Sequence, residues 1–156
     1  MTPVASRPPQ GGELYRMAVP NTANAPRIAR DFVTSLLTVG RHRELADDAR
    51  LCVAEVVTNA HRHTRTPRIQ LCATVNRKQV TVSVADNAPW FLPVLTPSAP
   101  AGELEGGRGL LLLDQLAHAW GWTLLGGCTP DRKAVWFTLG RAEPTRHPGP
   151  RSRPAG

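Results

Sequence analysis

Glu55-Val56-Val57-Thr58-Asn59-Ala60-His61-Arg62-His63 closes a segment, Glu44 to His63, in which Leu45, Ala49, Val53, Val56, Val57 and Ala60 recur at steps of three and four. That period predicts an amphipathic helix. On the same helix Glu55, Asn59 and His63 follow one another at intervals of four residues, which at about 100° per residue makes one polar stripe bordering the apolar face. A carboxylate and an amide held there do complementary work. Asn59 offers an oxygen to a hard cation such as Mg²⁺, and Glu55 can accept a proton. The plainer reading of the spacing alone is a solvated helix face that tolerates an asparagine.

Working outward toward the N-terminus, Ala25 to Leu37 reads as a second helix by its Ile28, Phe32, Leu36 spacing, and Gly40 ends it. Leu14 to Val19 reads as a short edge strand, with Pro20-Asn21-Thr22 as the turn between strand and helix. Toward the C-terminus, Ile69, Leu71, Ala73 and Val75 alternate with more polar residues, Asn76-Arg77 reverses the chain, and Val80, Val82 and Val84 alternate again. This pattern predicts a hairpin.

Periodicity is lost from Asn87 to Gly107 among Pro89, Pro93, Pro97, Pro100 and several glycines, so a long irregular loop of the kind that forms lids is expected there. A helix from about Gly109 to Ala119 and strands at Trp120 to Leu125 and Lys133 to Leu139 complete the elements. Strands cluster apart from helices, so the expected class is α+β, a sheet with helices on one face. Residues 1–12 and 143–156 are rich in Pro, Gly and Arg without hydrophobic periodicity and read as disordered, leaving one domain over about 13–140, with 141–156 as its C-terminal tail.

Two further features bear on chemistry. Asp86 continues the parity of Val80, Val82 and Val84 and is therefore expected on the buried side of its strand. A buried carboxylate needs a partner, and the exocyclic amine of a purine is one suitable donor; a strand-end aspartate that caps the turn at Asn87 is the plainer account. Gly106-Gly107-Arg108-Gly109-Leu110 is a glycine run feeding a helix, where free amides and the dipole suit phosphate oxygens and Arg108 adds charge. A simple hinge after the loop accounts for the same glycines.

Taken in order, Glu55-x-x-x-Asn59-Ala60-x-x-His63, Val84-Ala85-Asp86 and Gly107-Arg108-Gly109-Leu110 resemble the N, G1 and G2 boxes of the GHKL ATPase and kinase superfamily over about residues 20–140. The wording of Glu55 to His63 is similar to that of the short anti-sigma factor serine/threonine protein kinases of the RsbW type. This resemblance implies the Bergerat fold, a two-layer α/β sandwich with a mixed, mostly antiparallel sheet and ATP between the layers. It further implies that Asp86 holds adenine N6 with Ala88 close by, and that Asn59 coordinates Mg²⁺ bridging the phosphates. His63, Gly107, Arg108, Gly109 and Leu110 complete the nucleotide site, with Gly107 and Gly109 as the lid hinge. Glu55 is implied as the base for a protein hydroxyl. The implied partners are a sigma factor and an anti-anti-sigma (STAS) protein whose Ser or Thr accepts the phosphoryl group, and members of this kind often form homodimers.

The chain departs from the pattern in two places. The Asp-x-Gly of the G1 box appears as Asp86-Asn87-Ala88-Pro89-Trp90, so Ala88 stands near the missing glycine, and the Gly-Thr often found before the last strand is replaced by Asp131-Arg132-Lys133. A non-catalytic, nucleotide-dependent partner switch is the alternative reading of the same pocket.

Charge first suggests a nucleic-acid partner, because the net charge is +7. Its distribution argues otherwise: residues 141–156 hold four Arg against one Glu and residues 1–25 two Arg against one Glu, which leaves +3 for residues 26–140. Cys52, Cys72 and Cys128 are widely spaced without a CxxC pair, as in a reduced chain. Neither a signal core nor an apolar run of membrane-spanning length occurs, so a cytoplasmic location without membrane contact is expected. His61 and His63, about 200° apart on a helix, are poorly placed to share a metal ion. Trp120, Trp122 and Trp136 are expected in the core, whereas Trp90 falls in the loop.

Overall fold

Asn76 makes the reversal at the centre of the sheet. Its Oδ1 accepts from the backbone N–H groups of Lys78 and Gln79 at 2.9 Å each, and its own N–H donates to the Gln79 carbonyl at 3.0 Å. Around this turn the computed structural model, which describes residues 11–91 and 108–140, forms a five-stranded sheet with three α-helices. The elements in chain order are β1 (Glu13–Pro20), α1 (Ala25–Val39), a 3-10 turn (Arg43–Leu45), α2 (Ala46–His63), β2 (Arg68–Val75), β3 (Gln79–Asp86), α3 (Arg108–Leu116), β4 (Ala119–Leu125) and β5 (Arg132–Gly140). Most of the expected loop and both tails lie outside the described residues.

The sheet order is β1-β2-β3-β5-β4 and each of its pairings is antiparallel. This is the expected α+β sandwich, with no parallel pair among the described residues in place of the mixed sheet. Register aligns one row of side chains across all strands: Met17, Leu71, Val84, Val135 and Trp122. These residues belong to the core or pack against it, together with Ala25, Ala29, Val33 and Leu37 of α1 and Ala49, Val53, Val56, Val57 and Ala60 of α2. Small side chains dominate both helix faces and let the axes approach closely.

Several boundaries and faces differ from the sequence-based expectation. The α1 stripe that is buried runs Ala25, Ala29, Val33, Leu37, one position on from Ile28, Phe32, Leu36, and Ile28 is 47% exposed. Helix α3 ends at Leu116 rather than Ala119, because Ala119 already pairs with Thr138 in β4. Glu44 and Leu45 form the 3-10 turn that precedes α2 rather than its first turn. Trp120 is in the core and Trp122 packs against it, as expected, whereas Trp136 is buried outside that core, on the face of β5 opposite Val135 and Phe137. Among the described residues no helix is long and apolar enough to cross a membrane.

Candidate functional site

β3 ends on Asp86, and the antiparallel register sets it opposite Lys133 of β5. Asp86 shares the parity of Val80, Val82 and Val84, and Lys133 that of Val135, Phe137 and Leu139, so both side chains lie on the core-facing side. They are 5% and 3% exposed. Lys133 Nζ donates to Asp86 Oδ1 at 2.8 Å and to the Ala88 carbonyl at 2.9 Å, while the Ala88 N–H donates to the same Oδ1 at 2.8 Å. One carboxylate oxygen thus takes both an ammonium and a backbone amide, and the described residues give Oδ2 no hydrogen bond. Asp86 caps its own turn and faces inward at once.

Past that turn the Phe91 N–H donates to the Ala88 carbonyl at 3.1 Å, which brings the chain back toward α2. The Phe91 ring stacks on His63, with centroids 4.8 Å apart and planes 17° from parallel, and lies 5.8 Å from Lys133 Nζ. The His63 end of the helix stripe and the Asp86 end of the strand therefore meet through Phe91 and Lys133. Asn59 and Glu55 follow along α2 at about 6 Å and about 12 Å, the rise of one and two four-residue steps.

Asn59 is half-buried, yet its Oδ1 is fully buried and has no hydrogen-bond partner among the described residues. Leaving an acceptor in that state costs about 1–3 kcal/mol. An amide oxygen of this kind suits a hard cation or the water bound to one, so the residues present fit Mg²⁺. Glu55, half-buried one turn before it, supplies a carboxylate on the same stripe of α2. Its charge also acts on Cys52, whose thiol is pushed up to about 12 chiefly by burial, with Asp48 and then Glu55 adding to the effect. That thiol stays protonated and is not a nucleophile.

His61 points elsewhere: its Nδ1 lies 2.7 Å from Asn21 Oδ1, and Asn21 Nδ2 donates to the Thr66 carbonyl at 2.8 Å. The two histidines do not converge, and no group of three or more His, Cys, Asp or Glu among the described residues is placed to hold a metal ion. Arg108, Gly109 and Leu110 form the first turn of α3, which packs beside α2, while Gly107 lies outside the described residues. Of the residues singled out from the sequence, His63 is joined to Asp86 and Ala88 through Phe91 and Lys133, while Asn59 and Glu55 lie one and two turns back along α2; Lys133 and Phe91 were missed. For Lys133 a signal existed, since a lysine in phase with Val135, Phe137 and Leu139 points into the protein. Nothing in the sequence around Phe91 indicated that its ring would return to α2.

A family model described as a histidine kinase-like ATPase domain matches residues 19–138, an interval that holds the stripe, Asp86, Lys133 and α3. None of the curated proteins matches the chain. Domains of this family bind ATP, typically with Mg²⁺, and couple it to kinase or ATPase activity. With a match over most of its length and an α+β sandwich of the kind the family adopts, the chain belongs to the histidine kinase-like ATPase domain family of GHKL type.

Proposed function

We propose that the chain is an ATP-dependent serine/threonine protein kinase of the anti-sigma type, acting on a Ser or Thr of an anti-anti-sigma (STAS) partner and binding a sigma factor. The observation that carries the reading is the pairing on α2 of a carboxylate, Glu55, with an amide oxygen, Asn59 Oδ1, that is buried without a partner. In this reading the purine lies at the Asp86 and His63 end and the phosphates run along α2 toward Asn59 and the first turn of α3. Asn59 would hold Mg²⁺, which when bound would neutralise phosphate charge. Glu55 takes the proton of the acceptor hydroxyl as its oxygen bonds to the γ-phosphorus and the bond to the β-γ bridging oxygen breaks, which leaves ADP and a phosphorylated partner. Positioning and electrostatics supply most of the rate in such a transfer, so the base acts mainly by orienting the nucleophile.

Incubation with radiolabelled ATP and a STAS protein tests this. Transfer to a Ser or Thr is expected for the wild type, and Glu55→Ala is expected to reduce it by about 10²-fold or more while ATP binding stays within about threefold. Binding without transfer to any partner would instead favour a nucleotide-dependent switch that holds or releases its partner without chemistry.

A further inference from the structure

Lys133 is a cation on the core-facing side of a strand whose inward neighbours are Val135, Phe137 and Leu139. A charge buried to 3% exposure is costly unless it is met, and here it is met twice, by Asp86 Oδ1 and by the Ala88 carbonyl. A turn cap does not require this ion pair, because the Ala88 N–H alone closes the turn on Oδ1. The ammonium adds two properties to the carboxylate. It ties down Oδ1, so that a ligand meets Oδ2, and through the Ala88 carbonyl it fixes the turn that follows the carboxylate.

We infer that Lys133 is a positioning residue that sets base selectivity: by holding Asp86 through Oδ1 it presents a fixed, acceptor-only oxygen to a 6-amino purine and rejects 6-oxo purines. The oxo group would meet that oxygen lone pair to lone pair, whereas an amino group donates to it. This inference rests on the reading of the cleft as a nucleotide site. Replacing the ammonium by a methyl-capped chain leaves Oδ1 with the Ala88 N–H alone and frees the carboxylate to turn. A carboxylate that is no longer tied down presents no fixed oxygen to the group at C6, so it discriminates less between an amino and an oxo group.

Titration calorimetry of the full chain with Mg²⁺-ATP and with Mg²⁺-ITP, which carries oxygen in place of the amine at C6, provides the test. The wild type is expected to prefer ATP, and Lys133→Met to shrink the ATP-to-ITP ratio by about tenfold, the size of one lost discriminating hydrogen bond. In an Asp86→Asn background the ratio is already small, and adding Lys133→Met is expected to leave it unchanged, because both residues act through one contact. Should Lys133→Met fail to fold, Lys133→Leu, which also lacks a donor, carries the same expectation. A folded variant with the wild-type ratio, or a wild type that binds ITP as tightly as ATP, overturns the inference alone. A wild type that binds neither nucleotide overturns the reading of the cleft as well.

Discussion

Asn59 carries an amide oxygen into the protein where no donor meets it. Such an atom burdens the empty domain and rewards the bound one, which makes two opposite effects of one substitution testable. Asn59→Ala removes the orphaned acceptor and also places the better helix former on α2. Thermal melting of the nucleotide-free variant is expected at the wild-type temperature or a few degrees above it. Calorimetry with ATP is expected to show at least tenfold weaker binding in the presence of Mg²⁺ and little change in its absence. At this scale the sequence was partly legible. Parity gave the inward direction of Asp86 and a period of four gave the stripe, because both follow from backbone geometry alone. The partner of Asp86 was not legible, since the Asp86–Lys133 pairing joins residues 47 apart and depends on cross-strand register.

Elements were legible where local chemistry sets them and less so where tertiary packing does. The β2–β3 hairpin was fully readable because Asn76 closes its own turn through three local hydrogen bonds. Asn76→Ala removes two of them, and a loss of about 1–2 kcal/mol is expected in urea denaturation with an unchanged slope, which would place the effect in the folded turn. The backbone carbonyl of residue 76, which the substitution leaves in place, still accepts from His42 Nε2 at 2.6 Å. The face of α1 was read one position off: Ala25 and Ala29 carry little apolar weight in a periodicity count, yet they are the residues that allow close contact with α2. The end of α3 was set by pairing of Ala119 with β5, a competition that no local signal records.

At the scale of the molecule, the candidate site draws on the middle of the chain for its helix stripe, on the end of β3 for its aspartate and on the start of β5 for its lysine. The layers were legible as a class, since strand and helix periods segregate along the sequence, whereas the order β1-β2-β3-β5-β4 was not. That order is what sets β5 beside β3 and turns two distant residues of opposite charge into one buried unit. The stack of Phe91 on His63 spans the same gap between sheet and helices. An incoming base that takes over the imidazole face must evict the ring already there, so affinity measures the difference between two stacks and not the full worth of one. Trp90 is the chain neighbour of that ring and is 80% exposed, while Trp120 and Trp136 are buried. Trp90 thereby becomes an intrinsic gauge of occupancy: its emission is expected to change as ATP is added and to saturate with the calorimetric signal, and the change is expected to vanish in Trp90→Phe. A flat emission trace alongside saturating heat would show guest and phenylalanine lodged side by side.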